Sequence, residues 1–473
     1  MESCVPKLTD ATLDQLEKDA KEFALTTGIG CRSIDLPNDN CLQSLRFTLF
    51  PSPFPLKWCL LAQRIQQGIN LMMHRISYDK QFLEESLADV IRVDSFTRSL
   101  YEIYLKVSQD VKASKLNLGI FRSDYMLNKE PEVLRQVEIN AISVSFAGLA
   151  PAISELHHYV NNKVTSDIKH EQPKINTCDF VASSLIKAWE VYGKKEAIIV
   201  FIVEQRTFNI CDQKAIEIQL FRKRPDILVK RKQFSDISKD CLDENNILRV
   251  DGKEVAVVYY RTGYVPVDYP DEKSWEARLL LERSKAIKCP SIKYQLAGVK
   301  KFQQILTDKN ILKRFIRPEE GLDELYGTFA AIYHLSDTPE GNKSLEMGLK
   351  NPEKFVLKPQ REGGGNNYYG SDIVTKLSEI RKSDERNAYI LMELIDAVPV
   401  TNYGVDYKSS LKSRNFVKDT IISELGIFGS ILADGEQVYC NEEGGYLLRS
   451  KRVNDTEAGI AAGAGFLDAP YLF

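Results

Sequence analysis

Apolar residues recur at helical spacing through most of the first third of the chain. In residues 9–24 they lie three or four positions apart behind two capping candidates, Thr9 and Asp10, which predicts an amphipathic helix. The same spacing predicts three further helices, over residues 56–76, 81–91 and 95–107. The chain therefore begins with a largely helical region.

Two apolar segments on either side of residue 130 have the character of strands. Residues 116–122 and 133–145 are separated by the turn-forming residues 128–131, which predicts an antiparallel hairpin. In the second segment, Glu138 and Asn140 are two residues apart, so both side chains lie on one face. A carboxylate and an amide oxygen on one face suit Mg²⁺. An ordinary solvated strand face is the alternative.

Strands and helices alternate from residue 196 onward. Alternation of this kind predicts a small α/β unit with a largely parallel sheet, which we bound at residues 196 and 299. Its predicted strands are 197–203, 226–230 and 255–260, and its last helix is 274–287. The remaining predicted elements are helices 296–306 and 372–381 and strands 354–358, 388–393 and 419–428. The pattern as a whole predicts a mixed α/β fold.

Composition limits the classes of function. A chain of 473 residues with 43% apolar and 27% charged residues has the balance of an ordinary globular protein and is long enough for two or three lobes. The net charge of −3 provides no general basic field for nucleic acid or an anionic membrane. The N-terminus lacks the pattern of a signal peptide, and the longest apolar run is too short to span a bilayer. We therefore expect a cytoplasmic protein without nucleic acid or membrane partners.

Cysteine and histidine usage argues against two further classes. The nine cysteines form no CxxC pair, and an odd number of scattered cysteines fits free thiols in a reducing compartment. There are five histidines, without an HExxH motif, and no GxSxG sequence is present. Zinc hydrolysis and serine-nucleophile chemistry therefore have no visible starting point.

A glycine-rich stretch at residues 355–370 is the strongest candidate for ligand binding. An apolar strand leads through Lys358 and Glu362 into three consecutive glycines, whose backbone amides can turn inward and hold phosphate oxygens. The spacing is not that of a Walker A loop, because Gly370 is followed by Ser371 rather than Gly-Lys. A surface hairpin is the alternative, but the neighbouring cation and carboxylate favour an enzyme that uses Mg²⁺ and ATP.

Two basic segments add candidates for binding a carboxylate substrate. Arg122 lies one strand before the proposed metal strand and could hold a carboxylate with two parallel hydrogen bonds, although pairing with Asp124 is an equal alternative. Arg449 and Lys451 share one face of a predicted strand. The small residues 458–465 follow and could leave room for a small substrate, with a close-packed turn as the alternative.

Taken together, these segments resemble the eukaryotic glutathione synthetase family, which has the ATP-grasp fold. The resemblance spans almost the whole chain and is carried by motifs in the family's order. These are Arg122-Ser-Asp-Tyr-Met, Val137-Glu-Ile-Asn-Ala-Ile-Ser-Val-Ser-Phe, Asn209-Ile-Cys-Asp-Gln, Trp275-Glu-Ala-Arg-Leu-Leu-Leu-Glu-Arg-Ser, Gln295-Leu-Ala-Gly-Val-Lys-Lys, Lys358-Pro-Gln-Arg-Glu-Gly-Gly-Gly-Asn-Asn, Ile422-Ser-Glu-Leu-Gly-Ile-Phe-Gly and Leu448-Arg-Ser-Lys.

The resemblance implies a fold, a reaction and an assembly. The ATP-grasp core would comprise residues 1–195 and 300–473, with a nucleotide lid at about 330–400 and an inserted α/β substrate-binding domain at 196–299. The implied reaction joins glycine to the cysteinyl carboxylate of γ-glutamylcysteine through an acyl phosphate, with ATP converted to ADP and phosphate. Mg²⁺ would be the cofactor, and the protein would be a homodimer.

The resemblance also implies roles for individual residues. The catalytic groups would be Arg122, Arg449 and Lys358, and the Mg²⁺ ligands Glu138, Asn140 and Glu362. ATP would be bound by Glu138, Lys300, Lys358, Glu362, Gly363, Gly364, Asn367, Tyr369, Met392, Glu393, Leu394, Ile395, Glu424 and Lys451. The peptide and glycine would be bound by Arg122, Ser143, Ser145, Asn209, Gln213, Arg261, Tyr264, Arg449, Ile460 and Ala461.

One position departs from the family pattern, and it concerns the dipeptide. The family often carries glutamate two residues before the equivalent of Asn209, whereas this chain has Thr207. A charge expected near the dipeptide's amino group is therefore missing, and Glu204 is a nearby replacement.

Three other interpretations are weaker. A ligase that takes β-alanine is expected to differ at the pair matching residues 461–462, and the two alanines found there favour glycine. A non-catalytic nucleotide sensor should have lost a metal ligand or a phosphate-contacting lysine, and this chain retains all of them. A protein kinase would need HRD and DFG motifs, and the sequence has neither.

Overall fold

The computed structural model describes residues 5–33, 38–164, 174–360, 366–406, 416–455, 459–460 and 465–473. They form helices and strands in a mixed α/β fold, as predicted. The helices are α1 Asp10–Thr27, α2 Leu56–Tyr78, α3 Lys80–Leu87, α4 Val90–Val93, α5 Ser95–Ser108, α6 Ala150–Val164, α7 Thr177–Tyr192, α8 Ile210–Lys223, α9 Glu272–Arg283, α10 Ile292–Ala297, α11 Lys300–Ile305, α12 Lys309–Leu312, α13 Leu322–Thr328, α14 Pro339–Lys350 and α15 Ser371–Ile380.

The strands fall into one large sheet, one four-stranded sheet and two short ribbons. They are β1 Gly30–Arg32, β2 Leu42–Ser44, β3 Phe47–Thr48, β4 Ser52–Phe54, β5 Asn117–Asn128, β6 Val133–Asn140, β7 Ile198–Ile202, β8 Val229–Lys232, β9 Arg249–Val250, β10 Lys253–Tyr260, β11 Ile287–Cys289, β12 Ile332–His334, β13 Phe355–Pro359, β14 Tyr368–Tyr369, β15 Tyr389–Glu393, β16 Pro399–Val405, β17 Phe416–Ala433, β18 Val438–Arg452, β19 Phe466–Asp468 and β20 Pro470–Leu472.

The helical start of the chain is confirmed. The hydroxyl of Thr9 accepts a hydrogen bond from the amide of Thr12 at 3.3 Å, so Thr9 caps α1 as predicted. The helix buries the apolar positions that recur along it and ends at Gly28. The predicted helix 81–91 is instead two helices, α3 and α4, separated by residues 88–89.

The large sheet is antiparallel where the candidate site lies. Its order is β16-β3-β19-β18-β17-β5-β11-β10-β7-β8, with β6 beside β5 and β9 beside β10. The predicted hairpin is confirmed as β5 and β6. However, β6 ends at Asn140 rather than at residue 145, because Ser143 and Phe146 have φ values of 54° and 72°, which take the chain out of extended conformation.

The other half of the large sheet is parallel, as predicted for the α/β unit. Strands β8, β7, β10 and β11 pair in parallel, and β11 pairs with β5 through Lys288 and Asn117. This unit therefore continues the antiparallel sheet.

Two predicted helices in this part of the chain have different bounds. The predicted helix 274–287 ends at Arg283, because the amide of Lys285 bonds to the carbonyl of Asn246 at 2.7 Å and β11 begins at Ile287. The predicted helix 296–306 is divided between α10 and α11, with Gly298 and Val299 between them.

A second, smaller sheet faces the antiparallel half of the large one. Its order is β12-β15-β13-β14, and it is antiparallel throughout. Helices α14 and α15 pack on it through a separate apolar cluster that includes Leu345, Leu357, Leu377 and Leu391. The main core lies between the large sheet and helices such as α2, which packs on β17. Among the described residues, no helix is both long enough and apolar enough to cross a lipid bilayer.

Candidate active site

Adjacent strands of the large sheet present a row of charged side chains. In the register of β5 and β6, Arg122 lies opposite Asn140 and Asp124 opposite Glu138. In the register of β17 and β18, Glu424 lies opposite Arg449. Alternate residues of a strand share a face, so the pairing brings together residues that are far apart in sequence. Glu138 and Asn140 share a strand face, as predicted.

Asp124 lies at the centre of this row and is completely buried. Its Oδ1 accepts from Arg122 Nε at 2.6 Å, and its Oδ2 accepts from Arg122 Nη2 at 2.8 Å. The same Oδ2 accepts from Asn140 Nδ2 at 2.8 Å and from Arg449 Nη2 at 3.0 Å. The pairing of Arg122 with Asp124, which the sequence offered as an alternative to substrate binding, is therefore present. It fixes the direction of the guanidinium, since the bonds are charge-assisted and in parallel.

Two lysines from other elements converge on Glu138. Lys300, the first residue of α11, places Nζ 3.1 Å from Glu138 Oε2, and Lys358 of β13 donates to the carbonyl of Val137 at 3.1 Å. Burial raises the pKa of the Glu138 carboxyl, but the two ammonium groups outweigh burial and lower it to about 2. Glu138 is consequently an anion at neutral pH, the form in which a carboxyl group binds a metal ion.

Glu424 and Arg449 form a second buried ion pair on this face. Burial raises the pKa of the Glu424 carboxyl. The guanidinium of Arg449 lowers this pKa, whereas the nearby carboxylates of Asp124 and Glu138 raise it further. For Arg449, burial favours the neutral form, whereas Glu424 and Asp124 raise the pKa of the guanidinium above its usual value. The guanidinium of Arg449 therefore stays charged and holds the carboxylates of two different strands together.

A cavity of about 160 Å³ lies between the large sheet and the small sheet. Ten of the fourteen residues predicted to bind ATP line it, together with Arg449. The lining residues are Met126, Val137, Glu138, Val356, Lys358, Asn367, Tyr369, Met392, Glu393, Leu394, Ile395, Ile422, Glu424, Arg449, Lys451 and Gly459. An eleventh predicted residue, Lys300, contacts the cavity wall through its ion pair with Glu138.

The cavity has an apolar part and a charged part. Val356 of β13 lies opposite Met392 of β15 and Tyr369 of β14, and these residues line the cavity together with Ile422 of the large sheet. The charged part contains Glu138, Lys358, Glu424 and Lys451. Such a surface would match a ligand that has a planar apolar ring at one end and an anionic group at the other.

The residues predicted to bind the peptide form a second, connected network at the parallel half of the sheet. Arg261 is buried and its Nη2 donates to Asp212 Oδ2 at 3.0 Å and to Ser145 Oγ at 3.1 Å. Asn209 donates to the same Asp212 oxygen at 3.1 Å. The hydroxyl of Ser143 donates to the carbonyl of Arg261 at 2.9 Å. The two networks meet at Ser145, whose carbonyl accepts from Arg122 Nη1 at 3.0 Å.

The remaining predicted peptide residues are held less directly. Gln213 accepts from Arg231 Nη2 at 2.6 Å, and the amide of Tyr264 donates to Asp268 Oδ2 at 3.0 Å. Ile460 is buried beside Gly459, which lines the 160 Å³ cavity. Four of the predicted residues, Glu362, Gly363, Gly364 and Ala461, lie outside the described residues.

The oxygen donors present fit a magnesium ion. The amide nitrogen of Asn140 is used by Asp124 and by the carbonyl of Arg122, which leaves the side-chain oxygen as the group for a cation. Glu138 supplies a carboxylate on the same strand face. Hard cations prefer such oxygens. Within the described ranges, histidine, cysteine, aspartate and glutamate form no group of three or more around one point, and the third predicted ligand, Glu362, is outside them.

Comparisons with known proteins identify the family of the chain. The sequence profile for the eukaryotic glutathione synthase ATP-binding domain matches residues 10–472. The glutathione synthetases of Xenopus laevis and Homo sapiens are both 40% identical to this chain, over 470 and 468 residues, with 97% of each chain covered.

The chain belongs to the eukaryotic glutathione synthetase family.

Another member and a solved structure extend the comparison. The chloroplastic glutathione synthetase of Arabidopsis thaliana is 38% identical over 437 residues, which cover 91% of this chain and 79% of the relative. The structure of a glutathione synthetase-like effector from Globodera pallida superposes with a TM-score of 0.78 over all of both chains at 23% identity. At that identity the likeness concerns the fold alone. The predicted family is therefore confirmed.

Sequence reasoning missed several residues of the site. Met126, Val137, Val356 and Ile422 line the 160 Å³ cavity, but an apolar residue in a strand gives no sign of whether it faces a ligand or the core. Asp124 was expected only as a partner of Arg122, and its bonds to Asn140 and Arg449 depend on strand register, which the sequence does not show.

Proposed function

We propose that this chain is a glutathione synthase that ligates glycine to γ-glutamylcysteine with ATP. The main support is the cavity between the two sheets, whose wall contains ten residues predicted to bind ATP. Family membership over nearly the whole chain supports the same reaction. The activated carboxylate would be the cysteinyl one, because the proposed product carries glycine on the cysteinyl residue; the glutamyl α-carboxylate of the dipeptide is also free but is not joined to glycine.

In the first step, a cysteinyl carboxylate oxygen attacks the γ-phosphorus of ATP and ADP leaves, which gives an acyl phosphate. Activation is needed because a free carboxylate is a poor electrophile. Lys358 and Lys300 would hold phosphate oxygens as point charges, and Arg122 and Arg449 would orient the carboxylate. The acidic residues that bind these guanidiniums fix them before the substrate arrives, so little reorganisation is needed at the moment of reaction.

In the second step, the amine of glycine attacks the acyl carbon, phosphate leaves, and the nitrogen loses its proton. Water would compete with glycine for the same carbon. A covered site protects the acyl phosphate from this hydrolysis, and the predicted lid over about residues 330–400 would serve that purpose. No side-chain nucleophile is required in either step.

We propose Mg²⁺ as the cofactor, held by Glu138 and Asn140 and by Glu362. When bound, the ion would neutralise charge on the phosphate oxygens. The support for this assignment is geometric, since Glu138 and Asn140 lie two residues apart on one strand and the amide nitrogen of Asn140 is already bonded, which leaves its oxygen for a cation.

We also propose the remaining predicted features. These are the peptide and glycine roles of Ser143, Ser145, Asn209, Gln213, Arg261, Tyr264, Ile460 and Ala461, the domain bounds at 196 and 299, a homodimer and a cytoplasmic location. The homodimer and the location rest on the family resemblance and on composition.

A substrate-omission assay tests the proposed function. ADP should be released only when γ-glutamylcysteine, glycine, ATP and Mg²⁺ are all supplied, because neither the carboxylate nor the amine is activated alone. Equal turnover with β-alanine in place of glycine, or turnover without the dipeptide, would contradict the assignment.

A charge-removing variant tests the metal site. Glu138→Gln should lower kcat by at least about tenfold while the protein stays folded by circular dichroism. Glu132→Gln, a carboxylate at the opposite end of the same hairpin, is the matched control and should keep full activity. Unchanged turnover in Glu138→Gln would remove this residue from the metal site.

A further inference from the structure

Position 207, where the family often has glutamate, is surrounded by positive charge in this chain. The hydroxyl of Thr207 accepts from Arg231 Nη2 at 3.2 Å, and its carbonyl accepts from Arg32 Nη1 at 3.0 Å. Thr207 itself is buried. This position therefore offers no negative group to the ammonium of a γ-glutamyl residue.

Two other carboxylates near the predicted peptide residues are already used by the protein. Asp212 accepts from the amide of Gly148 through Oδ1, and from Arg261 and Asn209 through Oδ2. Asp268 accepts three backbone amides, from residues 263, 264 and 265, through a single oxygen. Either carboxylate would have to give up these bonds to hold an ammonium group, and breaking them costs free energy.

Glu204 differs from both of them. It follows the carboxyl end of β7, where the amide of Arg261 donates to the carbonyl of Ile202 at 2.8 Å. Its Oε2 is buried and has no hydrogen-bond partner among the described residues. An ionised carboxylate oxygen in that situation is costly unless a donor approaches it. Ligands of parallel sheets bind outside the carboxyl ends of the strands, which is where Glu204 lies.

The surroundings of Glu204 connect it to the peptide network. It lines a cavity of about 970 Å³ whose wall also contains Thr262 and Asp268, and Thr262 directly follows the predicted peptide residue Arg261. Burial raises the pKa of the Glu204 carboxyl, and Asp268 acts in the same direction. The backbone amide of Glu204, the Arg261 guanidinium and the side chain of Gln213 lower the pKa without cancelling that rise. The guanidinium groups of Arg261 and Arg231 both interact electrostatically with this carboxylate, but neither donates a hydrogen bond to the buried Oε2.

We propose that Glu204 binds the ammonium group of the γ-glutamyl residue and thereby sets the preference for a dipeptide that carries one. Glu204 lies three residues before Thr207 in the loop between β7 and α8. Its carboxylate would supply the negative charge that threonine does not provide at position 207. The proposal rests on the proposed function for the identity of the dipeptide. It makes Glu204 a specificity residue, since the ammonium group it binds is remote from the cysteinyl carboxylate that reacts.

The test compares γ-glutamylcysteine with glutarylcysteine, which lacks only the glutamyl amino group. The natural chain should prefer γ-glutamylcysteine in kcat/KM by about 10- to 100-fold, the usual effect of one charge-assisted hydrogen bond. Glu204→Gln keeps the shape and removes the charge, so it should bring the ratio of the two kcat/KM values close to one. The KM values for ATP and glycine should stay unchanged. A preference that survives in Glu204→Gln would overturn the proposal.

Glu276→Gln is the matched control, because it removes the same charge from the wall of the same cavity at an exposed position. This variant should keep the full preference for γ-glutamylcysteine over glutarylcysteine. Loss of the preference in Glu276→Gln as well as in Glu204→Gln would contradict the proposal. Glu204→Asp keeps the charge and should retain part of the preference. Calorimetric binding of the two dipeptides gives the same comparison without turnover. If the protein prefers to bind γ-glutamylcysteine but releases no ADP, the proposed function is contradicted, whereas the proposed role of Glu204 in binding the ammonium group is supported.

Discussion

Asp468 is a completely buried carboxyl beside the site, on β19. Its Oδ2 accepts from Ser450 Oγ and Ser52 Oγ, both at 2.6 Å, and its Oδ1 accepts from the amide of Ala469 at 2.7 Å. Ser450 lies between Arg449 and Lys451, which line the 160 Å³ cavity. Burial raises the pKa of Asp468 to about 6, despite the serine hydrogen bonds that lower it. The folded protein therefore holds this proton more tightly than the unfolded chain does.

This residue should make stability depend on pH in a defined direction. Because the folded pKa is raised above the unfolded value of 3.8, the stabilisation is complete below about pH 4 and is lost as the pH rises through about 6. The loss is about 3 kcal/mol. Urea unfolding should give the free energy of unfolding of the natural chain and of Asp468→Asn at each pH. The difference between the two free energies should change by about 3 kcal/mol between about pH 4 and about pH 7. A difference that is constant over this range would refute the prediction. Asp14→Asn, at an exposed position of α1, is the control for charge loss.

At the scale of elements, Gly68 of α2 packs closely against the segment that precedes α13. This contact fixes the position of α2 between that segment and the large sheet. A Cβ added at Gly68 would lie 2.1 Å from the carbonyl oxygen of Glu320 and 3.0 Å from Ile316 Cδ1. Neither neighbour can move freely, because Glu320 also holds Arg75 of α2 through two hydrogen bonds of 2.5 and 2.6 Å and Ile316 is buried. The glycine is therefore required by packing, although helices generally favour alanine over glycine.

Gly68→Ala should consequently destabilise the protein by about 1–3 kcal/mol, the cost of forcing extra volume into a packed contact. Gly327→Ala is a matched control, because Gly327 also lies in a helix, α13, and has no neighbour within 4 Å of an added Cβ. That change should stabilise the protein by roughly 0.5–1 kcal/mol through helix propensity. Urea unfolding measures both variants. Changes of the same sign would show that packing at Gly68 is not limiting.

At the scale of the whole molecule, the cavity of 160 Å³ joins the large sheet to the small one. Each sheet has its own apolar core beneath it, and the cavity wall takes residues from both. A nucleotide bound there should hold the two parts together. A ligand that binds only the folded state raises the free energy of unfolding by about 2.7 kcal/mol at a hundred times its Kd.

A non-hydrolysable ATP analogue with Mg²⁺ should therefore raise the unfolding free energy by about 2.7 kcal/mol at that concentration. Lys358→Gln removes a phosphate contact, and if binding weakens tenfold the gain at the same concentration falls to about 1.4 kcal/mol. Lys354→Gln is the control, since this exposed lysine lies in the same segment. Equal gains in both variants would exclude Lys358 from the nucleotide site. Urea titration with and without the analogue provides the measurement.

Much of the fold could be predicted because it is local. The spacing of apolar residues located α1, α2 and α5, and the turn at residues 128–131 located the hairpin of β5 and β6. Two of the errors fall where contact with a distant segment decides the local structure. Residue 287 continues a helical pattern, yet it begins a strand because β10 and β5 lie beside β11. Residues 141–145 continue a strand pattern, yet Ser143 takes a positive φ, and its hydroxyl bonds to Arg261.

The sequence by itself determined the family, the class of chemistry and most of the charged residues of the candidate site, since these are carried by motifs whose residue types have few other uses. Only the tertiary structure decided which of them act together. Asp124 binds both Arg122 and Arg449, and Glu204, three residues before Thr207, has a buried oxygen without a partner among the described residues. The physical reason is that burial and pairing depend on neighbours from distant segments, which strand register and packing bring together and which spacing along one chain does not record.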